Sequence, residues 1–331
     1  MTGQIAELKR TLMSDAPPAQ APAATENDNF NGQWRDRYWW SNDGVRLHCR
    51  DYPAPQGAEN LVPVFCMPGL TRNARDFEGL AEHLSKSRRV VAIDFRGRGE
   101  SGYAKDPMSY VPLTYAQDVL GLCDELGIDR FVSCGTSLGG IVTMLLAAMA
   151  GDKLAGAVLN DVGPVIEAEG IERIRGYVGQ AGSQPTWVHA ARAAQDMHGA
   201  YFPGWKLDDW LRMVKRTNKL TKEGRIVPDY DSKIAEPFRV PGGEAGVDLW
   251  PALAALGDRP TLILRGRLSD ILSAATAEEM VARLGQAQLV TLDMIGHAPS
   301  LDEAEAQAAI DALLADVDQR EQARVPGAAP A

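Results

Sequence analysis

Cysteine, histidine and net positive charge are all scarce in this chain of 331 residues. The four cysteines, Cys49, Cys66, Cys123 and Cys134, lie far apart in the sequence. No two of them have metal-ligand spacing, and they do not form the dense framework of a disulfide-stapled domain. They are expected as buried free thiols. Lys and Arg number 34 against 44 Asp and Glu, a formal net charge of -10. A nucleic-acid-binding surface selects the opposite balance, so no nucleic acid is expected as a partner. No apolar run reaches bilayer-spanning length, which argues against membrane insertion. The opening MTGQIAELKRTLMSDAPPAQ lacks the continuous apolar core of a secretory signal. A cytoplasmic location is the resulting expectation. Of the five histidines, only His297 has a setting that suits catalysis. His48, His83, His189 and His198 lack one.

What is present is ordinary for a globular protein: 45% hydrophobic and 24% charged residues. The length fits one large α/β domain with an insertion. Residues 1–33, with APPAQAPAATENDN, are too rich in Pro, Ala and polar residues to build a core and read as a flexible arm. Such an arm is compatible with a monomer or a homodimer. The tail 319–331, ending RVPGAAPA, reads as flexible too.

Between these ends, apolar strand-like runs alternate with helical ones. Asn42-Asp43-Gly44 is a hairpin signal between two opening strands. Strands follow at Leu61 to Cys66, Arg89 to Phe95, Phe131 to Cys134, Leu154 to Val162, Thr261 to Arg265 and Leu289 to Asp293. Helices are expected over Asp76 to Leu84, Tyr115 to Leu126, Gly140 to Met149, Ala274 to Leu284 and Leu301 to Val317. This rhythm implies a mostly parallel sheet covered by helices on both faces, with an antiparallel edge. From about Ile166 to Asp248 no buried strand is evident. Helical periodicity over Gly170 to Val178, Gln184 to Met197 and Leu207 to Arg216 points to an inserted helical cap. The core domain would thus comprise 34–165 and 248–318, and the cap 166–247.

Gly135-Thr136-Ser137-Leu138-Gly139 reads G-x-S-x-G between a strand and a helix, the context of a nucleophile elbow. A serine hydroxyl needs a base, and the base needs an orienting group. Asp270, in LRGRLSDIL, and His297, in DMIGHAPSLDE, follow Ser137 in the chain, each just after an expected strand. In a parallel sheet those loops share one edge. Asp270 is the preferred acid. Its rival is Asp161, in VLNDVGP, at a similar height above the sheet, which reads more readily as a brace for the cap entrance. Oxyanion donors are expected from the backbone N–H groups of Leu138, at the helix start, and Leu70, in the loop after Leu61 to Cys66. Pro68 has no N–H to offer. Asp94 to Ser101 has neither G-x-G-x-x-G nor a P-loop lysine, and reads as a rigid floor in which Asp94 and Arg96 make structural hydrogen bonds.

Together, MPGLTRNARDFEGLA, VVAIDFRGRGESG, GTSLGG, VLNDVGP, LRGRLSDIL and GHAPSLDE resemble the α/β-hydrolase fold, in particular its cap-bearing esterases and C–C hydrolases. The resemblance spans about Tyr38 to Asp316. It implies Ser137 as nucleophile, Asp270 as acid, His297 as base and Leu70 and Leu138 as oxyanion donors. Many relatives carry His-Gly where this chain has Pro68-Gly69, which implies a differently braced oxyanion loop. The serine separates the chain from the similar haloalkane dehalogenases and epoxide hydrolases, which use aspartate.

The function expected is hydrolysis of a small to medium, largely apolar carboxylic ester through an acyl-enzyme, with no metal and no organic cofactor. C–C hydrolysis of a vinylogous diketone acid, lactone hydrolysis and amide cleavage use the same triad and stay as alternatives. Glu167, Glu169 and Glu172 hint at an amine-binding cluster for the last. An inward-pointing Arg72 or Arg75 would favour an acidic substrate. A ligand-binding protein without turnover is the non-enzymatic alternative.

Overall fold

The computed structural model describes residues 31–180, 182–239 and 248–324. Most of the arm expected over 1–33, the end of the tail and part of the 166–247 segment lie outside those residues.

An eight-stranded sheet forms the centre, in the order β1-β2-β4-β3-β5-β6-β9-β10. β1 (Arg35–Trp40) and β2 (Arg46–Tyr52) are the expected antiparallel hairpin. Gly44, at φ 78°, closes the turn, where a side chain would be strained. β2 also runs antiparallel to β4 (Val90–Asp94). From there the sheet is parallel: β4 with β3 (Val64–Met67), then β5 (Phe131–Thr136), β6 (Leu154–Asn160), β9 (Thr261–Gly266) and β10 (Ala287–Leu292). Every residue of β3, β4, β5 and β6 is buried, which is why these strands read as unbroken apolar runs.

Helices cover both faces. One apolar cluster packs α2 (Pro112–Leu126), α3 (Leu138–Ala150), α7 (Trp250–Ala254) and α8 (Ala274–Leu284) against one side of the sheet. The other holds α1 (Glu78–Leu84) and α9 (Ala304–Arg324). Local sequence sets their ends. Pro112 opens α2, and Gly127, at φ 61°, caps its last carbonyls. Ser273 accepts from Thr276 N–H to start α8. The tail expectation is corrected at its beginning: α9 runs on to Arg324. Arg130 holds Glu321 through both guanidinium Nη2 and Nε, and Arg320 Nη1 donates to Asp258 O at 2.8 Å.

Between β6 and β9 the chain leaves the sheet and forms α4 (Ala168–Tyr177), α5 (Trp187–His198) and α6 (Leu207–Thr217). These have a small apolar cluster of their own, around Trp210, Phe202 and Val214. A two-stranded hairpin, β7 (Asn218–Leu220) with β8 (Ile226–Pro228), follows α6. Only Ile226 of its residues is buried, so it lacks the apolar signature that marks a strand in sequence. The four cysteines are buried and free. Burial pushes the Cys123 thiol up to about 12.

Candidate active site

The parallel strands β5, β6, β9 and β10 lie side by side, so the loops after them share one edge. They deliver Ser137, Asp161, Asp270 and His297.

Ser137 stands between β5 and α3 at φ 52°, ψ -114°, a strained backbone for a side-chain-bearing residue. The glycines around it make the turn sterically feasible. A Cβ on Gly135 would lie 2.3 Å from the Gly139 carbonyl carbon, and one on Gly139 would lie 2.1 Å from Met67 O. His297 Nε2 is 2.9 Å from Ser137 Oγ. Its Nδ1 is 2.8 Å from Asp161 Oδ2. The sequence-based preference for Asp270 beside the histidine is therefore corrected: Asp161, the rival, occupies that place.

The reason lies in the partners of the two carboxylates. Asp161 is fully buried, and its φ of 55° turns the chain at the end of β6. Its Oδ1 accepts from Gly266 N–H at 2.9 Å, and Oδ2 from Ser269 O–H at 2.6 Å as well as facing the imidazole. Asp270 is one residue beyond Ser269, but its carboxylate meets Arg173 of α4, with Nη2 at 2.8 Å from Oδ1 and Nε on Oδ2. Burial pushes the Asp270 carboxyl up, yet the hydrogen bonds and charge of Arg173 outweigh that and hold it below its usual value. Asp270 thus ties the inserted helices to the sheet domain. With Asp161 accepting at Nδ1, the neutral imidazole carries its proton there and presents the Nε2 lone pair to Ser137.

Leu138 begins α3, where the first backbone N–H groups have no helical partner. Leu70 lines the cavity beside Ser137. The loop that carries Leu70 is braced by Arg98. Its Nε donates to Leu70 O at 2.9 Å, and its Nη1 to Arg96 O at 2.7 Å and Tyr115 Oη at 3.0 Å. Arg98 is itself fully buried.

The loop after β4 is the rigid floor expected. Arg96 is clamped between Asp118 and Asp43. Asp94 accepts from Ala74 N–H at 2.6 Å and Glu100 N–H at 3.0 Å, and pairs with His48 at 2.7 Å. His48 is buried between Asp94 and Asp36. Burial pushes its pKa down, but the two carboxylates win and lift it to about 9.

A cavity of about 450 Å³ opens over Ser137 and His297. Its far wall comes from the inserted helices, with Tyr177, His198, Phe202 and Trp205 among the lining residues. Arg72 lines it. Arg75 does not: it donates to Arg216 O and Asp229. Glu167, Glu169 and Glu172 are not part of its lining.

Three residues with evident roles carried no sequence signal strong enough to name them: Ser269, Arg98 and Asn160. Asn160 Nδ2 donates to Thr136 Oγ1 at 3.0 Å and to Pro299 O at 2.9 Å, tying the histidine loop to the elbow. Ser269 had one available signal, its position in the loop that also carries Asp270.

Comparison with known proteins identifies the fold family. A family model described as the alpha/beta hydrolase fold matches residues 62–304. A 3-hydroxybutyrate-oligomer hydrolase from Cupriavidus necator is 34% identical over 268 residues, covering 77% of this chain and 88% of the relative. A 2-(acetamidomethylene)succinate hydrolase from Mesorhizobium japonicum is 29% identical over 209 residues, covering 62% of this chain and 71% of the relative. A crystal structure of an alpha/beta hydrolase from Novosphingobium aromaticivorans superposes with a TM-score of 0.81 at 55% identity, covering 86% of this chain and 98% of that one. The chain belongs to the α/β-hydrolase fold family and is a hydrolase.

Proposed function

We propose that this protein is a serine carboxylic ester hydrolase in which Ser137, His297 and Asp161 act as the catalytic triad under a helical cap. The observation that carries the proposal is the unbroken line of hydrogen bonds from Ser137 Oγ through the imidazole to the buried Asp161 carboxylate. In the first step His297 Nε2 takes the Ser137 proton as Oγ attacks the ester carbonyl carbon. The N–H groups of Leu70 and Leu138 stabilise the oxyanion that develops. Asp161 holds the ring in the correct tautomer and stabilises the imidazolium. His297 then gives its proton to the departing alkoxide. Water, deprotonated by the same nitrogen, attacks the acyl-enzyme and releases the acid.

The ester reading is supported by the relative from Cupriavidus necator, since an oligomer of a hydroxy acid is joined through ester bonds. C–C hydrolysis is the second reading, favoured by a 2-hydroxymuconate semialdehyde hydrolase from Pseudomonas that is 26% identical over 241 residues. The test is turnover of p-nitrophenyl butyrate and of linear 3-hydroxybutyrate dimer. Wild-type turnover that falls by about 10⁴-fold or more in Ser137→Ala supports the proposal. No turnover of either ester by the wild type refutes it.

A further inference from the structure

Four arginines line the cavity: Arg72, Arg173, Arg212 and Arg216. Two are held by close carboxylate pairs, and a third lies exposed at the rim. Arg173 gives Nε and Nη2 to the two oxygens of Asp270. Arg216 Nη1 donates to Asp302 Oδ2 at 2.8 Å. Arg212 sits at the exposed rim beside Asp209. Arg72 differs. Its guanidinium makes one hydrogen bond among the described residues, a long one of 3.3 Å from Nη1 to Asp76 Oδ1. Asp76 lines the same cavity and forms an ion pair with Arg72, while Nε and Nη2 have no hydrogen-bond partner among the described residues.

Arg72 is also fixed close to the nucleophile. The point where a Cβ on Gly69 would stand is 3.5 Å from Arg72 Cγ and 3.6 Å from Ser137 Cβ. The side chain therefore rises from the oxyanion loop next to the reacting serine. His198, on the cap side of the same cavity, has its pKa pushed down to about 4, first by burial and then by the charges of Arg72 and Arg173. It stays neutral and offers no second cation. Of the other acidic lining residues, Asp209 accepts from Lys206 N–H, Asp302 from Arg216, and Glu303 Oε1 from Ser300, while Glu303 Oε2 is buried without a partner among the described residues. A guanidinium with two free donor atoms in a half-enclosed site of mixed polarity is a receptor for a carboxylate, which it can take in a two-bond fork.

We infer that the substrate of this site carries a free carboxylate, and that Arg72 receives it while the ester carbonyl meets Ser137. This rests on the ester-hydrolase reading and narrows it to acyl esters of hydroxy acids with a free acid end. Water is consumed, the acyl–oxygen bond breaks, and the products are a carboxylic acid and an alcohol.

Linear 3-hydroxybutyrate dimer and its neutral terminal carboxamide are the matched probes. Two quantities are read: kcat/KM in the wild type, Arg72→Gln and Arg72→Lys, and the Kd by calorimetry in Ser137→Ala with and without Arg72→Gln. The expected result is a preference for the acid of about tenfold or more, lost in Arg72→Gln chiefly through KM and partly restored in Arg72→Lys. The same preference should appear in the Kd values. Equal Kd values for the two probes overturn the inference, as does a preference that survives Arg72→Gln or a failure of both probes to bind. Arg72-dependent binding of the acid without any turnover by the wild type would uphold carboxylate recognition while removing the ester-hydrolase reading.

Discussion

Asp161 Oδ2 lies 2.8 Å from His297 Nδ1, while Asp270, in the loop after the neighbouring strand β9, faces Arg173. Both carboxylates stand at the carboxyl edge of the parallel strands, within one strand of each other. Their neighbours separate their roles. Asp161 is enclosed by a backbone N–H, a serine hydroxyl and the imidazole, all of them donors. Asp270 is neutralised by a guanidinium and joins the inserted helices to the sheet.

Arg98 braces the loop proposed to hold the oxyanion, through Leu70 O, and its replacement should register in the chemical step. Arg98→Lys keeps the charge and loses the planar fork that reaches Leu70, Arg96 and Tyr115 together. A fall in kcat of about 10- to 100-fold is expected, with KM changing much less. Steady-state kinetics on one ester decides it. A rise in KM alone would assign Arg98 to substrate binding.

His48 supplies a pH signature of stability. Its folded pKa of about 9 is raised above the unfolded value near 6.5 by Asp94 and Asp36. The stabilisation is thus complete below about pH 6.5 and is lost as pH rises through 9. His48→Gln should cost roughly 2–3 kcal/mol at pH 7. The gap between wild type and variant should narrow by pH 10. Denaturant unfolding at both pH values measures it, and a constant gap would contradict the assignment.

The elbow should not tolerate a methyl group at Gly135. The added carbon would meet the Gly139 carbonyl at 2.3 Å, backbone that cannot yield without moving Ser137. Gly135→Ala should lose about 1–3 kcal/mol of stability and most of the activity in whatever fraction folds. Thermal unfolding and active-site titration report the two effects separately.

The sheet was legible because the buried strands are unbroken apolar runs and helices such as α2 and α8 carry clear end signals in Pro112, Gly127 and Ser273. The elbow was legible because only glycine fits around Ser137. The β7–β8 hairpin was not, since its strands are only three residues long, bury one side chain between them and carry no apolar alternation. The choice between Asp161 and Asp270 was also beyond the sequence. Each is an aspartate after an apolar strand, and the difference lies in Arg173, 97 residues from Asp270, reaching across from the insertion. Arg98 was hidden for the same reason: its bond to Leu70 O spans 28 residues.

The most direct test compares Asp161→Asn and Asp270→Asn for ester turnover under identical conditions. The account predicts that Asp161→Asn lowers kcat by about 10³–10⁴-fold, because Asn no longer stabilises the imidazolium or enforces the tautomer. Asp270→Asn should lower kcat by less than about tenfold and chiefly reduce stability, by about 2 kcal/mol, through the weakened tie to Arg173. The reverse order, with Asp270→Asn inactive and Asp161→Asn close to wild type, would contradict the relay through Asp161.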